Sequence, residues 1–175
     1  MSAPPPTARS KLVSRREAAR FARAARRKGQ RLVFTSGCFD LLHVGHMRSL
    51  EQARSFGDLL VVGVNTDASV RRLKGAERPI VPARQRAELL AALACVDRVL
   101  LFGGATPRAL IAELATHVYA KGGDWPLRVL RRDDLPGDFS GEIRRLRQIP
   151  GLRTTTLLQR ARGKPRRAKR RPRGH

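Results

Sequence analysis

Residues 59–64, Leu-Leu-Val-Val-Gly-Val, form an unbroken apolar run. It is short and shows no alternation of faces. That pattern predicts a strand covered on both sides, as in parallel sheets whose crossover helices pack on both faces. The rest of the chain fits such a sheet. Arg31–Thr35, Arg98–Phe102 and His117–Ala120 are further β-rich runs. Helical patterns lie between them: His43–Phe56, with Leu42, Met47, Leu50 and Ala53 toward the core, then Ala68–Leu73 and Ala83–Ala94. Thr106 and Pro107 predict another helix, with Thr as cap and Pro in the first turn. Alternating strands and helices predict an α/β fold, a parallel sheet with helices on both faces. Ligands bind such sheets at the carboxyl ends of the strands, where strand order reverses. The polar clusters Thr35–Asp40, Asn65–Asp67 and Lys121–Asp124 fall at those predicted ends.

The 175 residues, 41% apolar, are enough for one core and too few for two full domains. The net charge of +23 is concentrated at the ends. Residues 1–31 hold 10 basic residues and one acidic, and residues 160–175 hold 9 basic and none acidic. The expected organisation is a disordered lead (1–13), a basic N-terminal helix (14–30), the α/β domain (31–160) and a disordered basic tail (161–175). Ser14 and Glu17 match a capping box, Gly29 a helix stop, and Ala18, Phe21, Ala22 and Ala25 a narrow packing stripe. No run of about 18 apolar residues is present, so no membrane span is expected. Met1–Ser10 lacks the apolar stretch of a secretory signal. Cys38 and Cys95 alone cannot make a disulfide scaffold or a zinc site, and a reducing cytoplasm is the expected compartment.

The sharpest feature is His43-Val44-Gly45-His46. Histidines three apart share a helix face. At a helix N-terminus they join free N–H groups and the positive dipole end, a setting for phosphate. Two donors there suit the charge that builds on a phosphoryl group in transfer. The plain alternative is a pair of surface histidines. A zinc site is the rival chemistry, with Cys38 and Asp40 as weak further ligands.

Thr35-Ser36-Gly37-Cys38-Phe39-Asp40-Leu41-Leu42-His43-Val44-Gly45-His46 closely resembles the signature of the cytidylyltransferase-like nucleotidyltransferases. The resemblance continues through Val64-Asn65-Thr66-Asp67, Arg72-Leu73-Lys74-Gly75, Arg78-Pro79, Gln85-Arg86, Val96-Asp97 and Lys121-Gly122-Gly123-Asp124, and closes at Thr154-Thr155-Thr156. It covers about residues 31–160 and is nearest to the heptose 1-phosphate adenylyltransferases, including the adenylyltransferase half of the bifunctional heptose kinases. It implies a Rossmann-like sheet, transfer of AMP from ATP to a sugar 1-phosphate with release of pyrophosphate, Mg²⁺ carried by the nucleotide phosphates with no protein metal site, and a homodimer in ADP-heptose supply. By residue, it implies that Phe34, Thr35, Ser36 and Gly37 line the nucleotide with backbone groups and that Phe39 is also a nucleotide contact. His43 and His46 would donate to the triphosphate, and Gly45 would lie under the base or ribose. Asp40 would orient a histidine or Mg²⁺-bound water. Lys74 would reach the reacting phosphates from a mobile loop, Asp124 would hold the ribose, and Thr154 and Thr155 would bind the β- and γ-phosphates. Arg78, Arg86, Trp125 and Arg153 are candidate phosphate or acceptor contacts.

Periodicity leaves Glu142–Ile149 open between a helix and an edge strand, and the resemblance selects a late strand. Asp67 reads as a helix cap, His117 and the two cysteines as structural. Three departures stand out. Ser36 occupies a position usually held by Asn or another small residue, Arg153 one usually held by a small hydroxyl residue, and Pro126–Ser140 fits the family poorly. Acceptor recognition is therefore expected partly in that stretch. The enzymatic alternative is a cytidylyltransferase for glycerol 3-phosphate or a similar phospho-alcohol. A different class, a basic nucleic-acid-binding protein, is suggested by the charged ends. Few aromatics and no recognition motif support it, so the tail reads as an appendage making non-specific anionic contacts.

Overall fold

The computed structural model describes residues 7–123, 125–147, 154–161 and 163. The first helix, α1 (Arg15–Arg27), starts where its capping signals lie. The Ser14 side chain accepts from the Glu17 N–H, and the Glu17 carboxylate accepts from the Ser14 N–H in return. Gly29 follows the helix at φ +67, a conformation that glycine adopts without strain. Ala18, Ala22 and Ala25 are buried, with Ala19 beside them.

Five strands form one parallel sheet: β1 (Leu32–Gly37), β2 (Leu59–Asn65), β3 (Arg98–Phe102), β4 (Val118–Gly122) and β5 (Glu142–Leu146), in the order β3-β2-β1-β4-β5. Residues 60–62 and 64 of the apolar run are fully buried. The helices α2 (Val44–Arg54) and α4 (Ala83–Ala91) pack on one face over Val33, Leu60, Val62, Val118 and Ala120. On the other face α1 and α5 (Arg108–Leu114) cover Leu32, Phe34, Val61 and Tyr119. The period-2 alternation of strand side chains produces this division. The short α3 (Asp67–Lys74) follows β2, and a helical segment, α6 (Leu127–Val129), continues as a wider π-type turn through Asp134. Thr154–Ala161 forms α7.

The chain moves outward from β1 to β3, then returns to lay β4 on the other side of β1. The reversal point between β1 and β4 is where the rule for open sheets puts a ligand crevice.

Several boundaries differ from expectation. Thr7–Val13 is packed rather than disordered. Ala8–Lys11 forms a 3-10 turn, Lys11 Nζ donates to the Leu93 carbonyl, and Leu12 and Val13 join the edge of β3. Leu12 and Val13 carry the apolar side chains that make this contact, a short signal outweighed in the sequence by the prolines before it. Pro107 takes the cap position of α5 and Thr106 makes no cap bond. Residues 142–146 are the edge strand β5, parallel to β4. Most of the basic tail lies outside the described residues.

Candidate active site

A cleft of about 620 Å³ opens at the carboxyl ends of β1, β2 and β4. It brings together Thr35, Ser36, Gly37, Phe39, Asp40, His43, Gly45, His46, Lys74, Trp125 and Thr154. These span 120 residues of chain, and the sheet's reversal point is what unites them.

His43 is the N-cap of α2 and His46 lies in its first turn. The His43 imidazole makes no cap bond, so the side chain does not close off the helix end. The two rings stack at 3.8 Å between centroids, 24° from parallel. Phe39 meets His46 edge-on at 5.4 Å. Phe39 holds φ +47, a strained conformation for an aromatic residue, worth on the order of 1–3 kcal/mol. Its ring lies so close to Gly37 that a Cβ there would sit 3.2 Å from it. A larger residue there would push that ring by a few tenths of an ångström from its place against His46. The Nδ1 atoms of both histidines are buried without a hydrogen-bond partner in the described protein. Burial lowers the pKa of His43. Burial, then His43 and Lys74, push His46 down to about 4. Both rings are therefore neutral at pH 7. Lys74, at the exposed end of α3, lines the cleft, and its charge reaches His46.

Other predicted site residues do different work. The Phe34 side chain is fully buried and stacked on Tyr119 at 6.2 Å, so only its backbone is left for the expected lining role. Asp40 Oδ1 accepts from the Ile80 and Val81 N–H groups at 2.7 and 3.0 Å, and Oδ2 pairs with Arg78 at 2.8 Å. That carboxylate orients neither histidine. It ties the motif loop to the 78–81 loop, and Arg78 is its counter-ion. Arg86, 1% exposed, donates to the carbonyls of Cys38, Val81 and Asn65 and to Asp67. All of its guanidinium nitrogens are engaged, so Arg86 braces the loop ends and has no donor facing the cleft. Asp67 is correspondingly an ion-pair partner. Thr66 makes the cap of α3, accepting from Ser69 N–H. His117 is structural, its Nδ1 accepting from Leu32 N–H at 3.0 Å. Cys38 and Cys95 are half-buried free thiols. Asp124 and Arg153 lie outside the described residues, and for Thr155 only the helical backbone is described.

The sequence reading placed Ser36 and Lys121 at strand ends but missed the group they form with Asp134 and Tyr119. Lys121 Nζ donates to Ser36 Oγ at 3.1 Å and lies 3.6 Å from Asp134 Oδ2. The same oxygen accepts from Tyr119 OH at 2.6 Å. Burial, with Asp134 beside it, keeps the tyrosine protonated. The spacing of Tyr119 and Lys121, two apart on a strand, was the available signal. It marks one face of β4 as polar at its end.

A parallel sheet that reverses beside a helix N-terminus, with two imidazoles whose Nδ1 atoms have no hydrogen-bond partner among the described residues, has the architecture of a nucleotide-binding α/β protein. The cytidylyltransferase-like family profile matches residues 34–158, and the chain belongs to that family. It is 50% identical over 141 residues to the bifunctional protein HldE of Geotalea uraniireducens, which covers 80% of this chain and 29% of that protein. It is 44% identical over 154 residues to the protein of the same name from Koribacter versatilis, covering 88% of this chain and 32% of that one. The chain thus spans less than a third of these relatives. The crystal structure of the lipopolysaccharide core biosynthesis protein from Thermoplasma volcanium matches with a TM-score of 0.60 at 27% identity, covering 69% of this chain and 99% of that one. No helix among the described residues is long and apolar enough to cross a membrane.

Proposed function

We propose that this chain transfers AMP from ATP to a sugar 1-phosphate, with heptose 1-phosphate as the acceptor, giving an ADP-sugar and pyrophosphate. The observation that carries the reading is the stacked His43–His46 pair, neutral and unpartnered, at the open N-terminus of α2. A phosphate oxygen of the sugar attacks the α-phosphorus of ATP. The bond from the α-phosphorus to the bridging oxygen breaks, and pyrophosphate leaves with that electron pair. No bond to the protein forms. The protein supplies position and charge, the main contributions in such transfers. His43 and His46 donate hydrogen bonds to the phosphates beside the N–H groups of α2. Lys74, at the end of α3 in the cleft lining, adds a cation. Thr154 and Thr155, at the start of α7, meet the terminal phosphates. Asp124 holds the ribose.

Among the described residues, no three His, Cys, Asp or Glu side chains converge as a metal site. The two carboxylates at the cleft, Asp40 and Asp134, already hold Arg78 and the Tyr119–Lys121 pair. That donor set fits Mg²⁺ bound through the nucleotide phosphates, where it would neutralise charge. The proposed setting is a cytoplasmic homodimer, checked by sedimentation.

The test is a mass-spectrometric product assay. Protein, Mg²⁺ and ATP are incubated with D-glycero-β-D-manno-heptose 1-phosphate, with CTP and glycerol 3-phosphate in parallel. ADP-heptose at enzymatic rates is the expected product. A CDP-alcohol in the parallel reaction alone would replace the reading with the cytidylyltransferase one.

A further inference from the structure

The cleft straddles the carboxyl ends of the strands, and its two sides are unlike. His43, Gly45 and His46 belong to α2, which packs on one face. Ser36 and Lys121 follow Phe34 and Tyr119 at intervals of two, so they project from the opposite face, the one that α1 and α5 cover. Asp134, Trp125 and Pro107 complete that side of the cleft. The helix-end phosphate cradle therefore occupies one side, and a separate group of one ammonium, one carboxylate and one hydroxyl faces it.

That group is built, not incidental. The side chains of Lys121 and Asp134 are only 17% and 13% exposed. Tyr119 holds Asp134 in place by a 2.6 Å hydrogen bond from a ring fixed in the core, and Lys121 lies over the same ring. A partly buried lysine against a carboxylate is a charge pair that an incoming phosphate can compete for. A carboxylate released from that pair accepts hydroxyls.

We infer that Lys121, Asp134 and Ser36 form the subsite for the acceptor. Lys121 binds its phosphate and Asp134 accepts from its hydroxyls, while Trp125 closes the outer side. This deepens the reading of the preceding section and rests on it. The attacking phosphate then approaches from the α5 side and the triphosphate from the α2 side, so the two anions meet across the strand ends. Asp134 is a positioning residue toward Lys121 as well as a contact to the sugar. It comes from the stretch of sequence that departs most from the family, where acceptor choice would be written.

The test separates the two substrates. Lys121→Met keeps the apolar stem over Tyr119 and removes the charge. It should raise the KM for heptose 1-phosphate by about tenfold to a hundredfold, the range of one lost charged hydrogen bond. The KM for ATP should stay within about twofold. Lys121→Arg should recover part of the acceptor affinity. Asp134→Asn keeps the shape, and it should raise the KM for the sugar phosphate with a smaller effect on the inhibition constant of inorganic phosphate as a competing inhibitor. An ATP KM that rises with the acceptor KM, or an acceptor KM unmoved in Lys121→Met, overturns the inference. If the wild-type protein adenylylates no sugar 1-phosphate, the functional reading fails by itself. Calorimetric titration with mannose 1-phosphate, with a non-hydrolysable ATP analogue present, then decides the subsite. Binding lost in Lys121→Met upholds it, and binding unchanged in that variant, or absent from wild type, overturns it.

Discussion

Acid should destabilise the ligand-free protein through His46. Its pKa is lowered to about 4 by burial, then by His43 and Lys74, against an ordinary value of 6.5. Below pH 6.5 the unfolded chain takes up a proton on this ring, and the folded chain does not until pH 4. Stability therefore falls with pH across that window and is flat in this contribution on either side. At about 1.4 kcal/mol per pKa unit, the full drop is on the order of 3 kcal/mol. For a chain of this length that corresponds to about 6–12 °C in Tm. His46→Asn removes the titration and keeps a polar group of similar reach. The assay is thermal unfolding of both proteins at pH 7.5 and 4.5, without nucleotide. Carboxylate titrations are common to the two and cancel in the difference. The wild type should lose more stability than the variant by roughly the stated amount. Parallel pH profiles would refute the reasoning. Saturating ATP should shrink the wild-type loss, since phosphate favours the protonated ring.

Other expectations follow from the same contacts. His43→Ala and His46→Ala should each lower kcat by about a hundredfold or more at pH 7.5 with folding retained by circular dichroism; unchanged turnover would remove them from the mechanism. Arg86→Ala should cost about 3–5 kcal/mol in urea unfolding, because three carbonyls and Asp67 lose their partner; a loss below about 1 kcal/mol would contradict that bracing role. Ser14→Ala should cost about 1 kcal/mol without affecting turnover, by loss of the cap on α1.

Local signals were legible because they act over a few residues. The apolar run at 59–64, the Ser14–Glu17 box and the His43–His46 spacing each specify their own element. What stayed hidden depends on partners far along the chain. With 31 arginines, nothing in the sequence separates buried Arg86 from its solvated neighbours. Its burial follows from four acceptors supplied by three separate stretches of chain, around residues 38, 65–67 and 81. Asp40 lies inside the motif, yet its hydrogen bonds go to residues 80 and 81, 40 positions on. Asp134 follows no recognisable pattern, and only the packing of its helical turn against β4 brings it to Lys121.

The two-sided cleft also bears on how such a chain can change. The histidine end of the proposed phosphate cradle is encoded between residues 35 and 74, and the proposed acceptor side, Ser36 apart, between 102 and 134. Each is nearly a continuous block, and each packs against its own helices. Exchanging the second block between relatives would recombine acceptor preference with an undisturbed centre for phosphate chemistry. The line of strand ends is thus a seam along which new specificities can be stitched onto one reaction.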